Sequence, residues 1–184
     1  PNEHFTRVVR EDPKRKGLLY AGTETGMYIS FDDGSNWSPF QLNLPIVPIT
    51  DLALKDNNLI VATQGRSLWI IDDLTVLHQL EASDKSANIK LYQPKDSYRT
   101  KGRAAKEPSK TEGQNHPNGV ITHFYLKNMS DKDSISLTYF SKSGDTLATF
   151  SNFSKDKDKK LKVEKGVNTH VWDTRGKGAE KLKG

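Results

Sequence analysis

The sequence predicts an all-β fold, and three observations carry that expectation. Between residues 6 and 77 the apolar residues come in short runs dominated by β-branched and aromatic types, with glycine or proline breaking them about every dozen residues. A pattern set by Leu19, Thr23, Asp32 and Asp33 returns 40 residues later as Leu59, Thr63, Asp72 and Asp73. Further along, Ile135, Leu137 and Tyr139 alternate with Ser134, Ser136 and Thr138, the period of a half-buried antiparallel strand.

The elements follow in order. Thr6-Arg10 reads as a strand, and Asp12-Pro13-Lys14-Arg15-Lys16-Gly17 as a turn. Strands are expected at Leu18-Thr23 and Met27-Phe31, then a hairpin turn at Asp32-Asp33-Gly34-Ser35 and an outer strand from Trp37 to Gln41. The two prolines of Leu44-Pro45-Ile46-Val47-Pro48 forbid a central strand there, so it is a connector. The next unit runs through Ile49-Leu54, Leu59-Thr63 and Leu68-Asp72. Asp73 to Leu80 hints at a helical turn capped by Asp73. Residues 94–119 are polar and nearly free of apolar side chains, which suits a linker and a domain boundary. Strands resume at Val120-Leu126, Ser134-Phe140, Thr146-Phe150, Lys160-Val163 and Val167-Trp172.

Several short strands repeating near every 40 residues are the signature of propeller blades. A propeller needs about four to eight blades, so two repeats are expected to be part of a larger protein. The five later strands suit an immunoglobulin- or fibronectin-like sandwich, which needs about seven and is expected to be truncated. The organisation expected is blades over 1–80, a linker or long loop over 81–119 and the sandwich over 120–184.

Composition narrows the function. Apolar residues make up 34% and charged residues 28% of the 184, and the formal net charge is +5. The lysines interleave with Asp and Glu in the polar stretches and no basic face with stacking aromatics is visible, so a nucleic-acid partner is not expected. Cysteine is absent, which excludes disulfides and thiolate metal sites and fits a bacterial exported protein. No apolar run reaches the ~20 residues of a membrane helix. The chain starts Pro1-Asn2-Glu3 without Met or a signal peptide, so its start is expected to be processed or internal.

The stretch Ser30-Phe31-Asp32-Asp33-Gly34-Ser35-Asn36-Trp37 matches S-x-D-x-G-x-x-W, the Asp-box of bacterial neuraminidase-type propellers. With Leu19-Tyr20-Ala21-Gly22-Thr23-Glu24, Asn43-Leu44-Pro45 and Thr63-Gln64-Gly65-Arg66-Ser67-Leu68-Trp69-Ile70-Ile71-Asp72-Asp73, the segment Leu18 to Thr75 resembles the last blades of BNR-repeat glycosyl-hydrolase-like proteins, related in fold to sortilin-type propellers. The family usually shows His-Gly-Arg where Gln64-Gly65-Arg66 stand. The second repeat departs from the box, with Ile70 for Ser and Leu74 for Gly. In such proteins an Ig-like domain follows, similar to those carrying Gly-x-Asn-x-x-x-Trp-Asp, here Gly166, Asn168, Trp172 and Asp173. The resemblance implies a secreted, periplasmic or cell-surface bacterial protein. Its propeller would bind or process polysaccharide, contribute to a glycoside hydrolase site, or bind a peptide or protein as sortilin-type propellers do.

Candidate sites are few. In the Asp-box, Asp32 is expected to accept from turn amides, Gly34 to take a positive φ, Ser30 to add a hydrogen bond and Trp37 to pack over the hairpin, all structural roles. Asp72 and Asp73 are neighbours on a strand and point to opposite faces, so they cannot flank one glycosidic bond. Glu24 and Gln64 hold matching positions after the repeated Thr, and with Arg66 they are the only candidates for a ligand-facing set. The alternative for them is loop hydrogen bonding and a salt bridge. No catalytic set is identifiable. No histidine pair has metal spacing and no cofactor is expected. Open blade edges are expected to favour self-association.

Overall fold

The computed structural model describes residues 4–81, 86–98 and 117–176, and the chain divides into two compact units, 1–79 and 80–184. The fold is all-β, made of small antiparallel sheets. The centre of the expected linker, 99–116, lies outside the described residues.

The first unit contains two consecutive meanders. β1 (Thr6–Glu11), β2 (Leu19–Thr23), β3 (Gly26–Ser30) and β4 (Ser38–Pro39) form a four-stranded sheet in chain order. β5 (Ile49–Lys55), β6 (Asn58–Thr63) and β7 (Leu68–Ile71) form a three-stranded sheet, also in chain order. A short helix follows, α1 (Thr75–Gln79). The side chain of Asp73 accepts from the Thr75 amide at 2.9 Å, as a residue placed ahead of a helix to satisfy an orphan donor does. The outer strand of the first meander is only two residues long, not Trp37 to Gln41. Pro39 cannot donate to the ladder, and beyond it the Phe40 amide still bonds back to Met27 O while Gln41 reaches β3 only through its side chain, which accepts from the Met27 amide.

Period-2 alternation places Val8, Tyr20, Met27 and Ile29 on one face of the first sheet and Leu52, Leu59 and Val61 on one face of the second, which Ile49 joins through the bulge between Ile49 and Asp51. All eight belong to one core cluster, together with Leu18, Leu44 and Leu74. Gly22 sets how closely the sheets approach. A Cβ at this position would lie 2.5 Å from Ile49 Cγ2 and 2.8 Å from Val8 Cγ1, distances that no side chain tolerates. Arg10 reaches from β1 to β5, donating to Leu52 O at 3.1 Å and pairing with Asp51 at 2.8 Å.

In the second unit, β8 (Ile89–Leu91), β9 (Val120–Leu126) and β12 (Gly166–Trp172) form a sheet in the order β12-β9-β8, while β10 (Ser136–Phe140) and β11 (Thr146–Ser151) form a hairpin. Two expectations are corrected here. The stretch taken as linker from residue 81 contains β8, paired to β9 from Ile89↔Leu126 to Leu91↔Phe124. Conversely, Lys160-Val163 is not a strand. It follows a 3-10 turn at Lys157–Lys159 and makes a single bridge, Ser151↔Lys160, leaving Leu161 to plug the core beside Phe124 and Leu126. Three lysines in the run Lys157 to Lys160 keep that chain in water, while Leu161 is buried and Val163 packs against the same cluster.

Candidate functional site

The Asp-box forms a self-satisfied turn. Ser30 Oγ donates to Asp32 Oδ1 at 2.8 Å and accepts from the Gly34 amide at 2.9 Å. Asp32 also accepts from the Asn36 amide at 2.8 Å and from Asn36 Nδ2 at 2.6 Å. These bonds, the Asn36 side chain first, hold the Asp32 carboxyl below its usual value although it is fully exposed. Gly34 has φ +83°, and a Cβ there would sit 3.7 Å from Trp37 Cζ2, so the indole lies over the turn. The Ser30, Asp32 and Asn36 side chains are all engaged within the turn.

Strand register corrects the repeat by one residue. Leu19 pairs with Ser30, but its counterpart Leu59 pairs with Ile71. The loop after Thr63 holds one more residue than the turn after Thr23, so the offset changes from 40 to 41 across it. Asp73, not Asp72, is therefore the counterpart of Asp32, and Ile71, not Ile70, stands for Ser30. The two repeats share hydrogen bonds as well. Thr23 Oγ1 donates to Gly26 O and Thr63 Oγ1 to Ser67 O, at 3.0 and 2.6 Å. Gly17 O accepts from the Asp33 amide and Asn57 O from the Leu74 amide, with both acceptor residues left-handed at φ +77° and +69°.

The matched turns carry Glu24, Gln64 and Arg66. The amide of Glu24 donates to Phe5 O and that of Gln64 to Pro48 O, so the two positions are equivalent in backbone as well as in sequence. Their side chains make no common site. Glu24 is engaged by Arg7, with Nε 2.9 Å and Nη2 2.6 Å from the same oxygen. Gln64 and Arg66 are exposed, and the carbonyl of Arg66 takes the Trp69 indole N–H at 2.8 Å.

A cluster the sequence reading missed lies elsewhere in the first unit. Asp12 is 4% exposed and accepts from the Lys14 and Arg15 amides at 2.8 and 3.1 Å, from Tyr20 Oη at 3.2 Å, and lies 2.8 Å from His78 Nε2. Burial pushes the Asp12 carboxyl up, but the His78 hydrogen bond and the two amides outweigh it and leave the group below its usual value. Burial, reinforced by the Asp12 charge, pushes the Tyr20 phenol far up and keeps it protonated. A cavity of about 240 Å3 adjoins, lined by Asp12, Lys14, Asn57, Leu74 and His78 among others. Asp12 and His78 are 66 residues apart, on a turn and on α1, so no local motif could have paired them. Each group in the cluster is already used by another member, so it works as a clamp between the first meander and the helix after the second.

The second unit has an open groove of about 1000 Å3 along β11 and β12, whose lining includes Phe150, Asp158, His170, Trp172 and Arg175. Aromatic rings pack beside it: Phe150 and His170 have centroids 4.3 Å apart, Tyr139 and Trp172 4.6 Å. Burial holds the His170 imidazole below its ordinary value, and its Nε2 is buried with no hydrogen-bond partner among the described residues. The Gly-x-Asn motif has a structural explanation. Asn168 Oδ1 accepts from the Glu164 amide and Nδ2 donates to Glu164 O, both at 2.7 Å, closing the turn before β12.

Among the described residues no group of three or more His, Cys, Asp or Glu could hold a metal, and no helix is long and apolar enough to cross a membrane. Comparison of the chain with protein-family models, curated proteins and solved structures found no match.

Proposed function

We propose that the first unit is a pair of β-propeller blades of the BNR-repeat kind. The second unit is then an incomplete Ig-like sandwich, and the protein is a non-catalytic, exported binding protein for polysaccharide. The observation that carries the reading is the shared hydrogen bonding of the two meanders, in which Thr23 and Thr63, Gly17 and Asn57, and Glu24 and Gln64 play matched parts. It supports reading the meanders as repeats of one blade, more specifically than hydrophobic pattern alone. The binding role is preferred to glycoside hydrolysis because hydrolysis needs two carboxyl groups facing one bond. Here Glu24 is held by Arg7, Asp12 by His78 and Asp32 by its own turn. The groove of the second unit offers aromatic rings beside a rim of Asp158 and Arg175, the combination a sugar takes by stacking and hydrogen bonding.

Screening the protein against immobilised polysaccharides tests this reading. Binding is expected, it is expected to weaken in Asp158→Ala and Arg175→Ala, and no hydrolysis of bound glycan is expected. Release of reducing ends, abolished by Glu24→Gln, would replace the binding role with an enzymatic one. Capture of a peptide in place of any glycan would favour a sortilin-like role.

A further inference from the structure

Among the described residues β12 is an outer strand of its sheet, with nothing paired to its far side. Alternation decides which of its backbone groups are left over. His123 O accepts from the Tyr92 amide and the Lys127 amide donates to Asn88 O, so residues 123, 125 and 127 bond toward β8. Thr122, Phe124 and Leu126 therefore bond toward β12, opposite His170, Asn168 and Gly166. The N–H and C=O groups of Val167, Thr169 and Val171 are left pointing to the open side. Their side chains share the face opposite buried Asn168, and all three are exposed. The other outer strands are protected. β1 carries Arg7, Arg10, Glu11 and a bulge, and β5 carries Asp51, Lys55 and a bulge. β8 has Lys90, β4 has Pro39, and the β10–β11 hairpin is bulged. β7 is uncharged but has only four residues. β12 has seven residues in unbroken register and no Asp, Glu, Lys or Arg.

We infer that β12 pairs with β12 of a second copy of this chain, antiparallel about a two-fold axis at Thr169. The strand's own pattern indicates the occupant. Val167, Thr169 and Val171 read the same in both directions, so pairing centred on Thr169 sets Val167 opposite the second copy's Val171 and Thr169 opposite itself. Outward backbone groups then meet outward groups in three hydrogen-bonded pairs. Continuing the register past the strand brings Lys165 of each copy opposite Asp173 of the other, placing opposite charges at both ends. Both residues are exposed, and Asp173 meets its own Arg175 at 3.6 Å with both side chains in water, which leaves it able to turn to a second cation. Moving the axis by one residue either way would set Val171 against Lys165 or Val167 against Asp173, an apolar side chain against a charge. The Thr169 hydroxyl is engaged by His123 Nδ1 at 3.0 Å on the neighbouring strand, so it needs no partner across the axis. Both copies use the same strand, so the contact is isologous and closes at a dimer.

The chain has no cysteine, so a single introduced thiol reports the register. Thr169→Cys places two thiols on the axis, with Cα atoms about 5.5 Å apart, within the span of a disulfide. Val167→Cys places them four residues out of register, about 13 Å apart along the strand. Both sites are exposed, so neither substitution opens the core. Under mild oxidation of the full chain at high concentration, Thr169→Cys is expected to give a disulfide-linked dimer and Val167→Cys to stay monomeric. Mixing Val167→Cys with Val171→Cys is expected to restore the cross-link. Sedimentation of the wild type over a wide concentration range should show a monomer–dimer equilibrium that stops at the dimer. Thr169→Lys, which sets like charges on the axis, should lose it. Equal cross-linking of Thr169→Cys and Val167→Cys overturns the inference, and so does a wild type that stays monomeric throughout or grows past a dimer. The groove of the second unit lines the same strand, so every measurement is made without glycan and none of these outcomes bears on glycan binding.

Discussion

The two units use the same material, short antiparallel strands, and bury it to different extents. Among the described residues the first unit gathers eleven buried apolar residues into one cluster and the second gathers three, Phe124, Leu126 and Leu161. The difference lies in how the sheets meet. In the first unit two repeats bring complementary faces together and Gly22 lets them close, so whole strands such as β2 and β3 are almost without exposed surface. In the second unit the sheet and the hairpin share aromatic side chains, Tyr139, Phe150, His170 and Trp172, and leave β11 with much of its surface in water. Repetition therefore gave the first unit a core that the second, with one three-stranded and one two-stranded sheet, does not reach. Full burial of a Leu-sized side chain stabilises by about 1.5–3 kcal/mol, so the first unit is expected to be the more stable.

The comparison breaks most readily at Asp12. Asp12→Ala leaves His78, Tyr20 and two amides without their buried acceptor, and is expected to destabilise the first unit by about 3–5 kcal/mol. Amide exchange read separately on β2 and β9 should show the loss on β2 alone, and an equal loss on β9 would mean that the units fold as one. Leu59→Ala in the larger core should cost about 3–4 kcal/mol, against about 2 kcal/mol for Leu161→Ala, whose sparser surroundings can collapse. Urea unfolding of each variant measures the difference, and equal costs would remove the contrast between the cores.

Acid should separate the units by pH window. The folded His170 imidazole titrates below its ordinary value of 6.5, so the unfolded chain binds its proton more readily. The second unit therefore has its full stability above about pH 6.5 and loses it as pH falls below that. Asp12 is depressed below its ordinary 3.8, so its contribution is intact above about pH 4 and is lost only as pH falls through the lower, folded value. Exchange on β9 should thus rise at milder acidity than exchange on β2, and His170→Phe should remove the first window. A smaller effect tests the repeat itself. Thr23→Val should cost about 1 kcal/mol and Thr63→Val about 0.5 kcal/mol, because Thr23 is wholly buried and Thr63 only half so. The smallest effect belongs to the exposed Asp32. Asp32→Asn should speed exchange at the Asn36 amide and leave the unfolding midpoint near that of the wild type.

Much of the strand order was legible because it follows from local rules: alternation, glycine and proline punctuation, and the 40-residue echo. The errors fall where pairing was decided at a distance. β8 has three residues and no signal beyond Ile89 and Leu91, and it is a strand because β9 offers it an edge. Lys160-Val163 has equal local claim to be a strand and finds no ladder. The candidate set of Glu24, Gln64 and Arg66 was drawn from matched positions, and the matching holds in the backbone. Sequence spacing gives no view of Arg7, which engages Glu24 across the β1–β2 pair.

By itself the sequence determined the all-β class, the repeat and the internal bonding of the Asp-box, because each depends on residues within a turn or a strand of one another. Tertiary structure alone decided the one-residue shift that makes Asp73 the counterpart of Asp32, the burial of Asp12 against His78, and which repeated faces are covered. These are matters of which surfaces meet across tens of residues, and hydrophobic burial rewards any apolar face alike, so only the completed packing selects among them.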